Sequence, residues 1–208
     1  MPAYQHQETD QLLRQLADGD AAAREQLLRL HRERLTQMVA MRVDPRVKGR
    51  FDPSDVVQEA LVIADQRLSG YAKVGEVAFY PWLRKIAWEQ LLKFHERHFE
   101  AQKRSVAREQ RTAPRINDES VDLLLDRLAA AEGSPSENVI RMERRNRVLN
   151  ALEELKPRDR EIIELRYLEH LDNSEIAAVL NVSQAVVRTR HFRAIQRLHR
   201  ALRGPDQA

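Results

Sequence analysis

Apolar side chains recur at intervals of three and four residues along most of the chain, a spacing typical of amphipathic helices. From this spacing and from the residues that break it, we predict four helices in the N-terminal half. They cover Thr9–Ala17, Ala21–Val43, Asp52–Leu68 and Phe79–Arg104. Residues 69–75 interrupt the pattern and contain two glycines, so we predict a flexible loop between the third and fourth helices.

The helical pattern weakens after residue 104 and becomes regular again near residue 137. Prolines and glycines break it at Thr112–Pro114 and Gly133–Ser136, and one short amphipathic helix is predicted between them, at Val121–Ala131. We therefore predict a linker over residues 105–137. Closely spaced helices are predicted beyond it, over Glu137–Leu155, Arg158–Leu168, Asn173–Leu180 and Gln184–Leu202.

The last two predicted helices are separated by a short turn with strong capping signals. Asp172 and Glu175 have the spacing of a capping box, in which a cap side chain and an acid three residues later satisfy each other's free backbone N–H groups. Asn181 tolerates the left-handed conformation that ends many helices, and Ser183 can cap the next one. Two short helices joined in this way form a helix-turn-helix.

The composition agrees with a folded helical protein. The 208 residues are 42% hydrophobic and 32% charged, which fits one or two soluble domains. The 5% aromatic content and the six glycines disfavour a β-rich fold, so we predict an all-α protein. The absence of cysteine excludes disulfides, thiolate metal sites and a cysteine nucleophile. With no apolar run near the roughly 20 residues of a membrane span and no signal-peptide pattern at the start, we expect a cytoplasmic protein that does not bind membranes.

The net charge of +3 conceals a strongly basic final helix. Six arginines and no acidic residue lie between Ser183 and Arg203. Most charge runs are solvated helix faces, but this one follows a well-capped turn, and arginine suits both phosphates and guanine edges, so DNA binding is the favoured interpretation. We expect Gln184, Ala185, Arg188, Thr189 and either Phe192 or Arg193 near the bases, and Arg190, Arg197 and Arg200 at phosphates. His191 falls on the apolar stripe and is expected to pack inside.

The predicted fourth helix interleaves aromatic rings with basic residues and carries both tryptophans. Rings stack on unpaired bases and cations hold the backbone, so the pattern indicates single-stranded nucleic acid. Trp82 has equal reason to pack in the core or to face a strand. The other candidates are Arg84, Lys85, Trp88, Lys93, His95 and Arg97.

No enzyme site emerges from the sequence. There is no glycine-rich loop that could cradle a phosphate. His95 and His98 lie close together but lack an evident third ligand, so we expect no metal and no cofactor.

Three segments in order resemble the sigma-70 family, specifically the small two-domain extracytoplasmic-function (ECF) sigma factors that direct bacterial RNA polymerase to promoters. Asp52–Ala60 resembles the helix start of region 2.2, and Phe79–Ala87 (FYPWLRKIA) resembles region 2.3. Leu152–Tyr167 and Ser174–Ala194 resemble region 4 with its helix-turn-helix. The resemblance covers nearly all of the chain outside the linker.

The resemblance implies two small helical domains joined by a linker, the second a winged-helix-like helix-turn-helix domain. Region 2 would occupy residues 1–104 and region 4 residues 138–208. The implied partners are the core polymerase, through its β′ clamp and β flap, and promoter DNA in duplex and single-stranded form; an anti-sigma factor is left open.

The residues implied at the clamp are Asp52, Asp55, Val56, Gln58 and Glu59. Those implied at the minus-10 element are Tyr71, Lys73, Trp82, Arg84, Lys85, Trp88, Lys93 and Arg97, within or after the loop of residues 70–78. Those implied at the minus-35 element are Gln184, Ala185, Arg188, Thr189, Arg190, Arg193 and Arg197.

Two other functions remain open from the residues alone. A stand-alone helix-turn-helix regulator would bind duplex DNA tightly as a symmetric dimer, with half-sites about one helical turn apart. An enzyme with a DNA-binding tail would need a nucleophile or metal set that the sequence lacks.

The chain also departs from the family's usual residues at Glu89, Asn181 and the pair His191–Phe192.

Overall fold

The computed structural model describes residues 2–43, 52–74, 78–102, 124 and 150–203. Within these ranges the protein is all-helical, with no strand, as predicted. The helices are α1 (Pro2–Ala17), α2 (Ala21–Ala40), α3 (Pro53–Val74), α4 (Phe79–Gln102), α5 (Pro157–Tyr167), α6 (Asn173–Leu180) and α7 (Gln184–Arg203). None of the helices in the described part is long and apolar enough to cross a membrane.

The chain divides into two compact units, Met1–Arg115 and Ile116–Ala208. The boundaries of the predicted linker remain a prediction, because all of residues 105–137 except Leu124 lie outside the described residues. Leu124 is helical and buried.

The first unit contains α1 to α4 around one apolar core. Gly19 has a φ of +92°, which allows the tight turn between α1 and α2. Asp20 then caps α2 by accepting a hydrogen bond from the backbone N–H of Ala22 at 2.8 Å. The core side chains follow the helical spacing read from the sequence, with fully buried residues on α2, α3 and α4. They include Leu27, Leu35, Met38, Val57, Ala60, Ala64, Leu83, Ala87 and Leu91.

The predicted loop at residues 69–75 is wrong for its larger part, because α3 continues through Gly70 to Val74. Glycine in a helix interior costs about 1 kcal/mol relative to alanine. The longer helix offsets this cost by placing the Tyr71 ring against Phe79 and Trp82 of α4. The last residue of the predicted loop, Gly75, lies outside the described residues, and α1 begins seven residues earlier than predicted.

The second unit contains a helical stretch over residues 150–154 followed by α5, α6 and α7. Pro157 begins α5, where its missing N–H removes no helical bond. Residues at helical spacing on each element meet in one core, and the largest buried side chains are Leu152, Ile162, Ile163, Leu165 and Leu171. The predicted bounds of α6 agree with the structure, and those of α5 and α7 agree to within one residue.

Candidate nucleic-acid interface

The turn between α6 and α7 is built from the capping residues read in the sequence. Asp172 accepts hydrogen bonds from the backbone N–H groups of Ser174 (2.7 Å) and Glu175 (2.8 Å), and the Glu175 carboxylate accepts from the Asp172 N–H at 3.0 Å. Asn181 has φ 51° and ψ 52°, the left-handed conformation. The next N–H, from Val182, returns to the Ala177 carbonyl at 3.0 Å. These bonds fix the angle at which α7 leaves α6.

Helix α7 has one buried and one exposed face. Val187, Ala194 and Leu198 are fully buried and share one stripe by their spacing of seven and four. The residues of the opposite face are exposed, namely Ala185, Arg188, Thr189, Phe192, Arg193, Gln196 and Arg200. Phe192 is 61% exposed, which is unusual for a phenylalanine inside a helix of a folded domain. An apolar ring among cations is suited to a ligand with both charged and apolar parts.

Two of the predicted DNA contacts lie at one edge of the exposed face. Arg190 is partly buried, and the Arg197 guanidinium is 3.5 Å from the Glu154 carboxylate. Both side chains of that ion pair are largely exposed, so it is weak and can open to a phosphate. Gln184 is exposed in the first turn of α7.

His191 joins the buried side of α7 to α5, as the apolar stripe predicted. Its Nε2 lies 3.2 Å from the Tyr167 hydroxyl oxygen, and the two rings are stacked with centroids 5.7 Å apart. Burial, assisted by the charge of Arg166, lowers the pKa of His191. Burial also raises the pKa of Tyr167, so both groups are neutral near pH 7.

In the first unit, the end of α3 and the start of α4 form an aromatic cluster of Tyr71, Phe79 and Trp82. The Tyr71 ring lies 4.6 Å from Trp82 and 5.4 Å from Phe79 between centroids. Burial, with a smaller effect of Asp10, raises the pKa of Tyr71 to about 12. Phe79 is buried and Trp82 is partly exposed, so the cluster has an inner and an outer side.

The predicted minus-10 residues do not share one face of α4. Trp82, Lys85 and Lys93 follow the spacing of one stripe, and the two lysines are exposed, as is Arg97. Arg84 and Trp88 lie one turn apart on another side of the helix. The side chain of Lys73 is outside the described residues, and His95 is partly buried beside Phe94 at 6.2 Å between ring centroids.

Arg84 is buried and Trp88 is partly buried, and the two side chains lie against each other. Arg84 is 6% exposed, and its guanidinium carbon lies 5.6 Å from the centroid of the Trp88 ring. The buried Arg42, from the residues after α2, approaches the same ring at 5.5 Å. Trp88 is partly exposed, as Trp82 is, and the contacts of Arg84 and Trp88 with the minus-10 element stay a prediction.

The start of α3 presents an acidic, exposed surface. Asp52 accepts a hydrogen bond from the Ser54 N–H at 2.8 Å, and hydrogen bonds from Ser54 lower the pKa of Asp52. Asp55, Gln58 and Glu59 are exposed on the following turns. Val56 is 3% exposed and belongs to the core, and its contact with a partner stays a prediction.

Val62, which was not among the candidates read from the sequence, is 50% exposed and lies on the same stripe of α3 as Asp55 and Glu59. Helical spacing could have identified Val62 as exposed, because positions 55, 59 and 62 repeat at intervals of four and three, away from the buried stripe.

Comparisons with known proteins support the presence of a helix-turn-helix in the second unit. The family model "Sigma-70, region 4" matches residues 145–203, which contain the helix-turn-helix. The ECF RNA polymerase sigma-E factor of Escherichia coli is 29% identical over 190 residues, covering 89% of this chain and 90% of that protein. A probable RNA polymerase sigma factor of Xanthomonas campestris, RfaY, is 30% identical over 143 residues, and the ECF sigma factor BldN of Streptomyces coelicolor is 26% identical over 163 residues.

Residues 145–203 form a sigma-70 region 4 domain, and over most of its length the chain is homologous to ECF sigma factors of RNA polymerase. It spans 31% of the length of the Xanthomonas protein and 54% of BldN, but 90% of sigma-E. A solved structure of CnrH in complex with the cytosolic domain of CnrY matches 92% of this chain and 95% of that chain with a TM-score of 0.50 at 22% identity, which supports the fold. Sigma factors are not enzymes, in agreement with the lack of a catalytic set in the sequence.

Proposed function

We propose that this chain is an ECF sigma factor that binds the core of RNA polymerase and directs it to promoters by reading a minus-35 element with α7 and opening the minus-10 element with the α3–α4 region. The observation that carries the proposal is the exposed face of α7, which combines arginines with an aromatic ring after a fully capped turn. Its action on RNA polymerase would take place in the cytoplasm.

The minus-35 element is read in duplex form by the exposed face of α7. Arg188 and Arg193 are placed to donate to guanine O6 and N7 or to phosphates, and Thr189 to make a shorter polar contact. Phe192 lies one turn beyond Arg188 and offers an apolar surface to a thymine methyl group. Arg197 and Arg200 are better suited to phosphates, which set affinity rather than sequence preference.

The stripe of α4 that contains Trp82, Lys85 and Lys93 holds the minus-10 element as a single strand. Trp82 supplies a partly exposed ring backed by Tyr71, and such a ring can stack on an unpaired base. Lys85, Lys93 and Arg97 supply exposed cations for the strand's phosphates. Arg84 and Trp88 stay predicted contacts of this element.

The docking surface for the polymerase consists of Asp55, Gln58, Glu59 and Val62 on α3. Its two carboxylates are exposed and suited to basic groups on the β′ clamp, and Val62 offers an apolar centre. Asp52 caps the helix start and contributes through that position. The second unit would hold the β flap, so the two units would bind one polymerase and gain effective concentration from their linkage.

A protein that holds the chain inactive is a further partner. CnrH was solved with the cytosolic domain of CnrY, and the fold likeness supports an interaction of the same kind here with an anti-sigma factor.

Binding to core polymerase followed by promoter opening tests the proposal. The full chain should co-elute with core polymerase, and the complex should make thymines in the minus-10 region reactive to permanganate. Trp82→Ala should co-elute as the unchanged protein does and reduce this reactivity severalfold. Failure of folded protein to bind the core would contradict the proposal, and tight binding to duplex DNA as a symmetric dimer without polymerase would favour a stand-alone regulator.

A further inference from the structure

A side chain of α2 reaches across to the docking surface on α3. The Arg32 Nη2 group donates a hydrogen bond to Oε1 of Gln58 at 2.8 Å. Both side chains are exposed, and the side chain of Gln58 makes no other hydrogen bond within the described residues. The nitrogen of its amide is therefore left facing outward.

A second contact between α2 and α3 supports the hydrogen bond between Arg32 and Gln58. Two turns away, the Arg24 guanidinium donates to both the carboxylate and the main-chain carbonyl of Asp65. Arg24 and Arg32 are eight residues apart on α2, and their partners are seven apart on α3 in the opposite direction. The two helices thus run antiparallel with a register that keeps Arg32 opposite Gln58.

The chemistry of the two groups fixes the direction in which the amide points. A glutamine amide can present either its oxygen, an acceptor, or its NH₂ group, a donor. A guanidinium has only donors, so Arg32 must engage the oxygen. Without Arg32 the amide can rotate and present either end to a partner.

We propose that Arg32 is a positioning residue of the docking surface, holding Gln58 so that its NH₂ group donates to an acceptor on the bound partner. The inference rests on the proposed function, in which that partner is core polymerase. The surface then presents a donor between the acceptors Asp55 and Glu59. A side chain ordered before binding loses less conformational entropy on docking, so Arg32 strengthens the contact without touching the partner.

A set of matched variants tests this role by measuring the affinity of the full chain for core polymerase. Gln58→Ala is expected to weaken binding about tenfold, the loss of one well-formed hydrogen bond. Arg32→Ala is expected to weaken it severalfold in the unchanged protein and to add nothing when Gln58 is already alanine. Arg29→Ala, which removes the same charge from an exposed site one turn earlier on α2, should leave the affinity unchanged.

Gln58→Glu separates positioning from simple stability. A carboxylate accepts from Arg32 at least as well as the amide oxygen does, but it has no donor for the partner. This variant should therefore keep the thermal stability of the unchanged protein and bind polymerase as poorly as Gln58→Ala. Even if Arg32→Ala were to unfold, Gln58→Glu would still test the donor at position 58 on which the inference depends.

Three results would overturn the inference: Arg32→Ala binding as well as Arg29→Ala, full additivity of the Arg32 and Gln58 changes, or unchanged binding by Gln58→Glu. In each case the proposed function stands if Asp55→Ala still weakens binding. If the unchanged protein itself does not bind core polymerase, the proposed function fails as well.

Discussion

The imidazole of His191 is stacked on the phenol ring of Tyr167 at 22° between the ring planes, with Nε2 3.2 Å from the hydroxyl oxygen. The contact joins α5 to α7 beside the exposed face of α7 that carries Arg188 and Phe192. Because both rings are partly buried and neutral, they resist rotation of α7 about its own axis. The orientation of the exposed face of α7 therefore depends on this pair of side chains, which lie outside the set of residues proposed to contact DNA.

Tyr167→Phe removes only the hydroxyl of this pair and should loosen the attachment of α7. The free energy of local unfolding should fall by about 1 kcal/mol, the net value of one hydrogen bond. Amide hydrogen exchange across α5 to α7 measures this, with exchange in α2 to α4 as the internal control. Unchanged exchange in α7 would show that the hydroxyl contributes nothing.

The first unit should lose stability in mild acid because of His31. This side chain is 2% exposed, with Nε2 2.9 Å from the Thr9 hydroxyl, and burial, assisted by the charges of Arg34 and His6, lowers its pKa from 6.5 to about 3. Between these values the unfolded chain binds a proton that the folded chain does not. The contribution of His31 is therefore complete above pH 6.5 and is lost as the pH falls toward 3, by about 1 kcal/mol per pH unit.

Urea unfolding followed by tryptophan fluorescence measures this loss, because both tryptophans lie in the first unit. Stability at pH 5.5 should be lower than at pH 7.5. His31→Leu should be less stable at pH 7.5, since it cannot bond Thr9, but should show a shallower fall with pH. An equal fall in both proteins would assign the pH dependence to other groups.

Phe192 should read a thymine methyl group in the minus-35 duplex. Replacing that thymine by deoxyuridine removes one methyl group and should weaken binding by the polymerase complex by about 0.8 kcal/mol, roughly fourfold. Phe192→Ala should bind thymine and deoxyuridine duplexes equally. If the variant still distinguishes them, the methyl group is read by another side chain.

Asn181 should be replaceable by glycine but not by alanine. Its φ of 51° strains the backbone of most residues that have a Cβ atom. Asparagine tolerates this conformation better than they do, and glycine adopts it without strain. Asn181→Ala should lower the stability of the second unit by about 1 kcal/mol, and Asn181→Gly should leave it within about 0.5 kcal/mol. Thermal unfolding monitored by amide exchange in α6 and α7 distinguishes the two, and equal losses would contradict the role of the backbone conformation.

The sequence predicted the second unit closely because its signals are local. Asp172, Glu175 and Asn181 each act on backbone groups within five residues, so the ends of α6 could be read directly. The exposed face of α7 and the inward position of His191 followed from helical spacing alone. Its partner Tyr167 lies 24 positions earlier, and spacing within one helix cannot reveal a contact of that range.

The first unit was harder to predict because tertiary packing overrides local preference there. Gly70 indicated a loop, but the contacts of Tyr71 with Phe79 and Trp82 continue the helix. Arg84 and Trp88 fitted a nucleic-acid pattern by residue type, but the burial of Arg84 and the approach of Arg42 to the Trp88 ring depend on tertiary packing. The charged and aromatic residues therefore indicated a nucleic-acid surface. Which rings are exposed depends on tertiary packing, which the sequence pattern does not reveal.

The proposed promoter recognition is tested by in vitro transcription from a library of randomised promoters, with core polymerase and the purified chain. We expect transcripts that require the chain and that come from promoters enriched in two separate elements. Arg188→Ala should relax the upstream element alone, and Trp82→Ala should lower output from every promoter. Transcription that is the same with and without the chain, or enrichment of a palindrome bound by the chain alone, would contradict the account.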